Sequence, residues 1–311
     1  MRRRLFRRIR ESLIRLVRLA VMFLIKLHVV KPCVIVRVDG GICSQMHFYL
    51  VGKLFEKRGT CVKYDLEWFH ESGKDINGNR VRNFDLAKAF PYLSIIEPSV
   101  SDRVLFRCFK YTNDYKSDTN KMDFLNQKPP LWLLSYYPYT KEMLDIMMPQ
   151  NFYLTDGVLD MNNDRVYKQI KEEKNSVAVH VRRGDLSTFN SAYGNPVPNS
   201  YFIHSINHFL QTMEKPFFFF FSDEMEWVEK SLLPELCLDG NYMLVKGNSD
   251  DKGYMDLFLI SACSSQITSK GSLGKYGGFI HNGSDNTIVI YDDEFERRKW
   301  DGLSSKFLFL K

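Results

Sequence analysis

Residues 177–185 read Val-Ala-Val-His-Val-Arg-Arg-Gly-Asp. The first five are mostly small or β-branched apolar residues, which predicts a buried strand at 177–181. Residues 217–221 are five consecutive phenylalanines, and a run that is apolar on both faces is typical of an inner strand of a parallel sheet. A segment with helical spacing separates the two runs, so we expect a doubly wound parallel α/β sheet.

The same alternation extends in both directions along the chain. Toward the C-terminus it predicts helices at 199–213, 224–233, 255–263 and 271–280, and strands at 242–245, 266–269 and 287–291. Toward the N-terminus it predicts a strand at 34–38, a helix at 45–57 and a strand at 60–66, which is a second β-α-β unit. The charged run at 164–174 predicts a helix near a domain boundary. We therefore divide the chain into an arm at 1–30 and α/β domains at 31–165 and 166–311.

Composition limits the classes of partner. The chain has 311 residues, 44% apolar and 26% charged, which suits a globular protein with two cores. Its net charge is +6. The first 26 residues contain nine basic groups and one acid, a charge of +8, so the remaining residues carry −2. The body of the protein therefore offers no electrostatic case for nucleic-acid binding.

The basic residues of the arm alternate with apolar ones at spacings of three and four, which predicts an N-terminal amphipathic helix. Its longest uncharged apolar run is residues 19–25, far short of the ~20 residues that cross a bilayer. Each basic residue near an anionic membrane contributes about 1 kcal/mol. We expect residues 1–30 to lie on such a surface, at the cytoplasmic side of the membrane. A disordered basic tail or a transit peptide is the alternative.

The six cysteines include no C-x-x-C pair and no spacing typical of a zinc site. We expect free, buried thiols in a reducing cytoplasm.

The charged residues at the end of strand 177–181 have the chemistry of a phosphate site. Alternation places His180 and Arg182 on one face and Arg183 on the other. Arginine makes bidentate, charge-assisted bonds to phosphate oxygens. Asp185 would orient an arginine or cap the following turn. An ordinary solvated surface turn explains the same residues equally well.

Two other segments with glycines stand between a predicted strand and a helix. They are residues 40–46, which contain Gly40, Gly41 and Gln45, and residues 269–272, which begin with Ser269 and end with Ser272. Glycines permit close backbone approach, and helix N-termini favour anions. Ser222 and Asp223 follow the phenylalanine strand. Because ligands bind beyond the carboxyl ends of parallel strands, these segments predict a ligand site, although tight turns are the simpler explanation of each alone.

Four segments together resemble a known family. They are Gly-Gly-Ile-Cys-Ser-Gln-Met at 40–46, Val-His-Val-Arg-Arg-Gly-Asp at 179–185, Phe-Ser-Asp-Glu-Met-Glu-Trp at 221–227 and Asp-Leu-Phe-Leu-Ile-Ser-Ala-Cys at 256–263. They are similar, in order and spacing, to the segments GGLGNQM, HIRRGD, FSDDIEW and DLFLMSKC of the bacterial α-1,2-fucosyltransferases of glycosyltransferase family 11. The resemblance covers residues 34 to about 291.

The resemblance implies a GT-B-like fold of two Rossmann-like halves, with the acceptor on the side of 31–165 and the donor nucleotide on 166–311. It implies GDP-β-L-fucose as donor, inversion to an α-1,2 link on a galactose hydroxyl, and no metal or other cofactor. Arg182 would bind the β-phosphate, Ser272 would reach the phosphate, and His180 and Asp256 would lie by the guanosine. The catalytic candidates are Arg182, Asp185 and Asp39, and Asp223 is a third candidate base. The donor-binding candidates are His180, Arg182, Arg183, Gly40, Gly41, Gln45, Ser222, Asp223, Asp256, Ser269 and Ser272.

The chain departs from the family pattern in two of these segments. Residues 43–44 are Cys-Ser in place of Gly-Asn, and residues 270–279 replace NSSFSWWGAW with a segment that contains Lys270 and Lys275.

The acceptor that the resemblance implies is a galactose-containing oligosaccharide or lipid-linked glycan of a surface polysaccharide. Two alternatives stay open: a GT-B transferase that uses another nucleotide sugar, and a non-catalytic membrane- or glycan-binding protein.

Overall fold

A computed structural model describes residues 2–71, 73–74, 81–111, 123–135, 137–187, 194–249, 252–283 and 285–311. The chain divides into two compact units. The first unit comprises Met1–Gly40, Ser44–Val81 and Leu93–Pro138, and the second comprises Gly41–Cys43, Arg82–Tyr92 and Tyr139–Lys311. Residues 139–165, which the sequence analysis assigned to the first domain, thus make their contacts in the second unit.

The strands of the described residues are β1 Cys33–Arg37, β2 Cys61–Asp65, β3 Lys110–Tyr111, β4 Leu131–Leu133, β5 Ser176–Val181, β6 Phe217–Ser222, β7 Tyr242–Leu244, β8 Ser265–Thr268, β9 Ile288–Tyr291 and β10 Phe307–Leu310. The helices are α1 Arg2–Lys26, α2 Ile42–Glu56, α3 Glu67–Glu71, α4 Leu86–Ala89, α5 Val100–Phe106, α6 Asp123–Asn126, α7 Lys141–Ile146, α8 Met161–Glu172, α9 Gly184–Ser187, α10 Asn199–Thr212, α11 Met225–Trp227, α12 Gly253–Ala262, α13 Leu273–Phe279 and α14 Glu294–Trp300.

The first unit contains a parallel sheet in the order β2-β1-β4-β3. Its core includes Ile35 of β1, Trp132 of β4 and Phe106 of α5, and Val21 of α1 is buried against them. The Arg18 Nε donates to the Cys108 carbonyl at 2.7 Å, which also holds α1 to this unit. Among the described residues, no helix has the length and apolar character needed to cross a membrane.

The second unit contains a parallel sheet in the order β10-β9-β8-β5-β6-β7. The phenylalanine run is β6. Phe218 and Phe220 pack on one face of the sheet with α10, and Phe219 and Phe221 pack on the other face with α12. Burial of each such ring contributes about 1.5–3 kcal/mol. The α/β class with a parallel sheet in each half, the composition of a GT-B-like fold, is confirmed.

Two segments differ from the sequence prediction. The helix expected at 224–233 is α11 followed by a π-helical turn at Val228–Leu232 and a 3₁₀ turn at Leu233–Glu235. Pro234 lies at the start of the 3₁₀ turn and has no N–H, so the regular ladder of α-helical hydrogen bonds does not continue through it. The C-terminal pair α14 and β10 was not predicted, because residues 294–300 are mostly charged and β10 is short.

Candidate functional site

The predicted ligand segments of the second unit meet where β5, β6 and β8 end. The backbone N–H of Arg182 donates to Ser269 Oγ at 2.9 Å, and the backbone N–H of Ser269 donates to the His180 carbonyl at 3.1 Å. On the other side, the backbone N–H of Arg183 donates to Asp223 Oδ1 at 2.8 Å. Hydrogen bonds to both neighbouring strand ends therefore fix the backbone that carries the two arginines.

The guanidinium of Arg182 lies against the backbone of Gly271. Gly271 has a φ of +96°, a conformation that favours glycine. A methyl group built on its Cα would lie only 2.5 Å from Arg182 Nη1, well inside van der Waals contact. Gly271 therefore permits the turn and leaves room for the guanidinium above it.

Two lysines face two carboxylates beside this turn. The Lys270 Nζ lies 3.1 Å from Asp293 Oδ2, and the Lys275 Nζ lies 2.8 Å from Glu296 Oε2. Lys275 and Glu296 are 0% and 1% exposed. Burial lowers the pKa of Lys275, and the charge of Glu296 opposes that effect.

Lys299 adds another cation to the cluster. Burial lowers the pKa of Lys299 to about 8; Glu296 raises this pKa, whereas Lys275 and Arg182 lower it. Within the described residues the cluster therefore combines four cations with two carboxylates, and this excess of positive charge favours an anionic ligand. The six residues are Arg182, Lys270, Lys275, Lys299, Asp293 and Glu296.

His180 is neutral at physiological pH. Its side chain is buried, and burial lowers its pKa to about 3, with further lowering by the charges of Arg182 and Lys275. Its Nδ1 lies 3.4 Å from Ser269 Oγ. A neutral imidazole at this position can accept or donate a hydrogen bond but adds no charge to the site.

Arg183 has a different environment from Arg182. Its guanidinium carbon lies 3.7 Å from the centre of the Trp227 ring, and its Nε lies 3.7 Å from Glu224 Oε2. The carboxylate of Asp223 accepts from the backbone N–H of Arg183 and, at 3.1 Å, from that of Gly184. Arg183 is thus held by packing, and Asp223 holds the turn that follows β5.

Asp256 and Ser222 also make local hydrogen bonds. Asp256 Oδ1 accepts from Asn248 Nδ2 at 2.7 Å, and Asn248 exchanges side-chain hydrogen bonds with Asn163 at 2.8 and 2.9 Å. Burial raises the pKa of Asp256 to about 6, and the Asn248 bond opposes the rise. The Ser222 hydroxyl accepts from the backbone N–H of Glu224 at 3.0 Å.

The predicted residues at 39–45 divide between the units. In the first unit, the fully buried Gln45 donates from Nε2 to the Gly40 carbonyl at 2.9 Å, and Gly40 has a φ of +75°. Burial raises the pKa of Asp39, and Arg37, 3.9 Å away, opposes the rise. Gly41 belongs to the second unit.

Cys43 lies beside two predicted site residues of the second unit. Burial raises the pKa of its thiol to about 12, and a hydrogen bond with Ser272 and the charge of Arg182 oppose the rise. The thiol is therefore protonated, and it is an unreactive neighbour of the phosphate candidates. Asp185 falls in α9, and its side chain lies outside the described residues.

The sequence did not indicate Glu296 or Lys299, because no motif surrounds them. Lys270 and Lys275 stood out only as departures from the family pattern. In the described part of the chain, no group of three or more His, Cys, Asp or Glu residues is arranged to hold a metal ion. Independence from metal stays a prediction.

A cavity of about 480 Å³ lies elsewhere in the second unit. It is lined by residues at the C-terminal ends of α8, α12 and α13, among them Lys171, Ser261 and His281. Helix C-termini in a parallel α/β unit lie at the opposite edge from the carboxyl ends of the strands. None of the predicted site residues lines it.

Comparison with known proteins identifies the family of the chain. Residues 126–306 match the model of glycosyl transferase family 11, and the chain belongs to that family. It is similar to the O-antigen biosynthesis glycosyltransferase WbnK of Escherichia coli, with 26% identity over 160 residues, 50% of this chain and 49% of WbnK. It is also similar to the alpha-1,2-colitosyltransferase of Escherichia coli, with 27% identity over 127 residues, 40% of this chain and 43% of that protein.

The aligned segments thus span about half the length of these relatives or less. Among solved structures, the ADP-heptose LPS heptosyltransferase II of E. coli is similar with a TM-score of 0.49 and 10% identity, over 89% of this chain and 90% of that chain.

Proposed function

We propose that the chain transfers a sugar from a nucleotide-diphosphate donor to a glycan acceptor in the synthesis of O-antigen or a related surface polysaccharide. Membership of glycosyl transferase family 11 and the similarity to WbnK support this function. The observation that carries it is the Arg182 guanidinium, which lies over Gly271 within a cluster of four cations and two carboxylates. A diphosphate is the leaving group that such a cluster suits.

The donor we propose is GDP-β-L-fucose and the product an α-1,2 link to a galactose hydroxyl. The family resemblance supports the donor, and the name of the alpha-1,2-colitosyltransferase supports the linkage. The same relative favours a second candidate, transfer of colitose or another sugar in place of fucose. The replacement of two family tryptophans in 270–279 makes the donor sugar the point to test.

The reaction we propose is a single displacement. The acceptor hydroxyl attacks the anomeric carbon from the face opposite the diphosphate, the bond to the diphosphate breaks, and Arg182 stabilises the negative charge that builds on GDP. The hydroxyl proton passes to a base. Asp39 and Asp185 stay candidates for that base. Asp223 is disfavoured as the base, because its carboxylate already accepts two backbone N–H bonds.

A donor screen tests this function. Thermal shifts are measured with GDP-fucose, a colitosyl donor, GDP-mannose, UDP-galactose and UDP-N-acetylglucosamine, and the mass of the product is then measured on a galactoside acceptor. A ligand at 100 times its Kd stabilises the folded state by about 2.7 kcal/mol. We expect a shift with GDP-fucose and a product heavier by one deoxyhexose. A shift with a UDP sugar alone contradicts the donor, and GDP or glycan binding without any product contradicts transfer.

The N-terminal helix supports a membrane partner. Phe6, Ile9, Leu13, Leu16 and Phe23 repeat at helical spacing along α1, and each of these side chains is 48–71% exposed. The helix carries nine basic groups and one acid, so a second copy of the helix would repel it and an anionic surface would attract it. We propose that residues 1–30 hold the enzyme at the cytoplasmic face of the membrane, where its acceptor would be lipid-linked.

Vesicle sedimentation tests the membrane partner. The full chain is expected to sediment with phosphatidylglycerol vesicles and not with phosphatidylcholine vesicles, whereas deletion of residues 1–30 leaves it in the supernatant. Met161→Glu is a matched control, because Met161 is an exposed apolar residue of the second unit. Unchanged sedimentation after the deletion contradicts the proposal.

A further inference from the structure

Lys275 is a fully buried side chain with three polar partners. Its Nζ donates to the Ser269 carbonyl at 2.8 Å and to the Gly271 carbonyl at 2.9 Å. It also forms an ion pair with Glu296, whose Oε2 lies 2.8 Å away. The side chain thus ties one helix, α13, to the turn that precedes it and to α14.

The two carbonyls that Lys275 binds belong to the segment that contacts Arg182. The hydroxyl of Ser269 accepts from the Arg182 backbone N–H, and the Cα of Gly271 lies under the Arg182 guanidinium. Lys275 therefore holds Ser269 and Gly271 in place. Ser269 binds the backbone of Arg182, and Gly271 contacts its guanidinium. The turn thus links the side chain of Lys275 to Arg182.

Stability alone does not explain a buried pair of this kind. Removal of two charges from water costs about as much as their attraction returns, and well-packed apolar residues of similar size are often at least as stable. Glu296 has a more specific effect: burial lowers the pKa of Lys275, and the carboxylate of Glu296, 2.8 Å away, opposes that lowering and favours the charged ammonium. The charges of Lys275 and Glu296 then offset each other, so the pair beside Arg182 has no net charge.

We propose that Lys275 and Glu296 are positioning residues for the donor diphosphate, which hold the 269–271 turn in the geometry that aims Arg182 at the leaving group. This proposal rests on the proposed function. Both side chains are buried, so we assign them a role through Arg182 and not in contact with the donor. The chemical class of the ligand is a nucleoside diphosphate bound through its phosphates.

The pair can be removed without leaving an uncompensated buried charge. Lys275→Met combined with Glu296→Met keeps the side chains close in volume while it removes both charges and both bonds to the turn. We expect kcat per GDP-binding site to fall about 10- to 100-fold, because a misplacement of about 1 Å at a reacting group has effects of that size. The KM for the donor should change less than about threefold, since ground-state contacts are retained.

Three comparisons separate positioning from a general effect on folding. In an Arg182→Ala background, the paired substitution should cause no further loss of kcat. The effects of substitutions that act through one group do not add. Glu296→Gln, which leaves Lys275 bound to the turn, should lose less kcat than the paired variant. Lys306→Met is the matched control: Lys306 also donates to a backbone carbonyl, that of Gly283 at 3.3 Å, but where β10 begins, and its removal should leave kcat unchanged.

Each outcome decides the proposal. Wild-type kcat in a folded paired variant overturns it, and so does a further loss in the Arg182→Ala background. If the paired variant does not fold, Lys275→Gln combined with Glu296→Gln replaces it and should lose at least about tenfold in kcat relative to Glu296→Gln alone; an equal kcat overturns the proposal. Absence of transfer by the wild-type protein would instead refute the proposed function.

Discussion

Substitution of Gly271 by alanine separates the role of Arg182 from the stability of the fold. The new Cβ would lie 2.5 Å from Arg182 Nη1, whereas carbon and nitrogen atoms pack at about 3.5 Å. The guanidinium must therefore move by about 1 Å, and a misplacement of that size lowers rates by about 10²-fold. Because the displaced atom is the end of a flexible side chain, the loss of stability is limited to the left-handed backbone, about 1–2 kcal/mol.

Gly240 provides the matched control for this substitution. It has a φ of +82°, but a Cβ built on it would meet no atom within 4 Å. Gly240→Ala should therefore lose the same 1–2 kcal/mol in urea unfolding and keep its rate of sugar transfer. The assay is single-turnover transfer from the donor identified in the screen. Equal rates for Gly271→Ala and Gly240→Ala would mean that the contact between Gly271 and Arg182 has no part in transfer.

Two predictions concern the pH dependence of the free energy of unfolding. Burial raises the pKa of Asp256 to about 6, so the free energy of unfolding falls as pH rises from 3.8 through 6; Asp256→Asn should stabilise the fold by about 3 kcal/mol at pH 8 and much less at pH 4. Burial lowers the pKa of His180 to about 3. The contribution of neutral His180 to the free energy of unfolding is therefore complete above pH 6.5, and it is lost by about 1.4 kcal/mol per pH unit as pH falls toward 3. Between pH 6 and 5, the free energy of unfolding measured with urea should decline less steeply for His180→Gln than for the wild type. Equal declines would contradict the role of His180, and an Asp256→Asn effect that does not depend on pH would contradict that of Asp256.

The sequence predicted those parts of the fold whose signal is local. Five phenylalanines in a row indicated a strand buried on both faces, and β6 packs on both of its faces because alternation sends neighbouring side chains to opposite sides. Alternation also separated Arg182 from Arg183, and the two guanidinium groups have different environments. Lys275 and Glu296 lie on different helices, α13 and α14, so no helical spacing rule indicated that the two side chains would face each other.

Other features required the tertiary structure because their cause is a contact or burial that the sequence pattern does not report. The sequence shows Asp223 as a carboxylate at a strand end, which suits a base as well as a structural role; the structure shows that it accepts two backbone N–H bonds. Asp256 is an ordinary acid in the sequence, and only its burial raises its pKa to about 6. The irregular helical segment after β6 was missed because helical periodicity does not report the N–H that Pro234 lacks.

The difference between the two adjacent arginines is the sharpest test of Arg182 as the residue that binds the leaving group. Single-turnover transfer is measured for Arg182→Ala and Arg183→Ala, together with urea unfolding of each. We predict that Arg182→Ala lowers the rate of transfer about 10²- to 10³-fold with little change in unfolding, since it removes a charged contact to the leaving group. Arg183→Ala should weaken the fold through loss of the Trp227 contact and keep most of the rate per folded molecule. Retention of most of the rate by a folded Arg182→Ala protein would contradict the account.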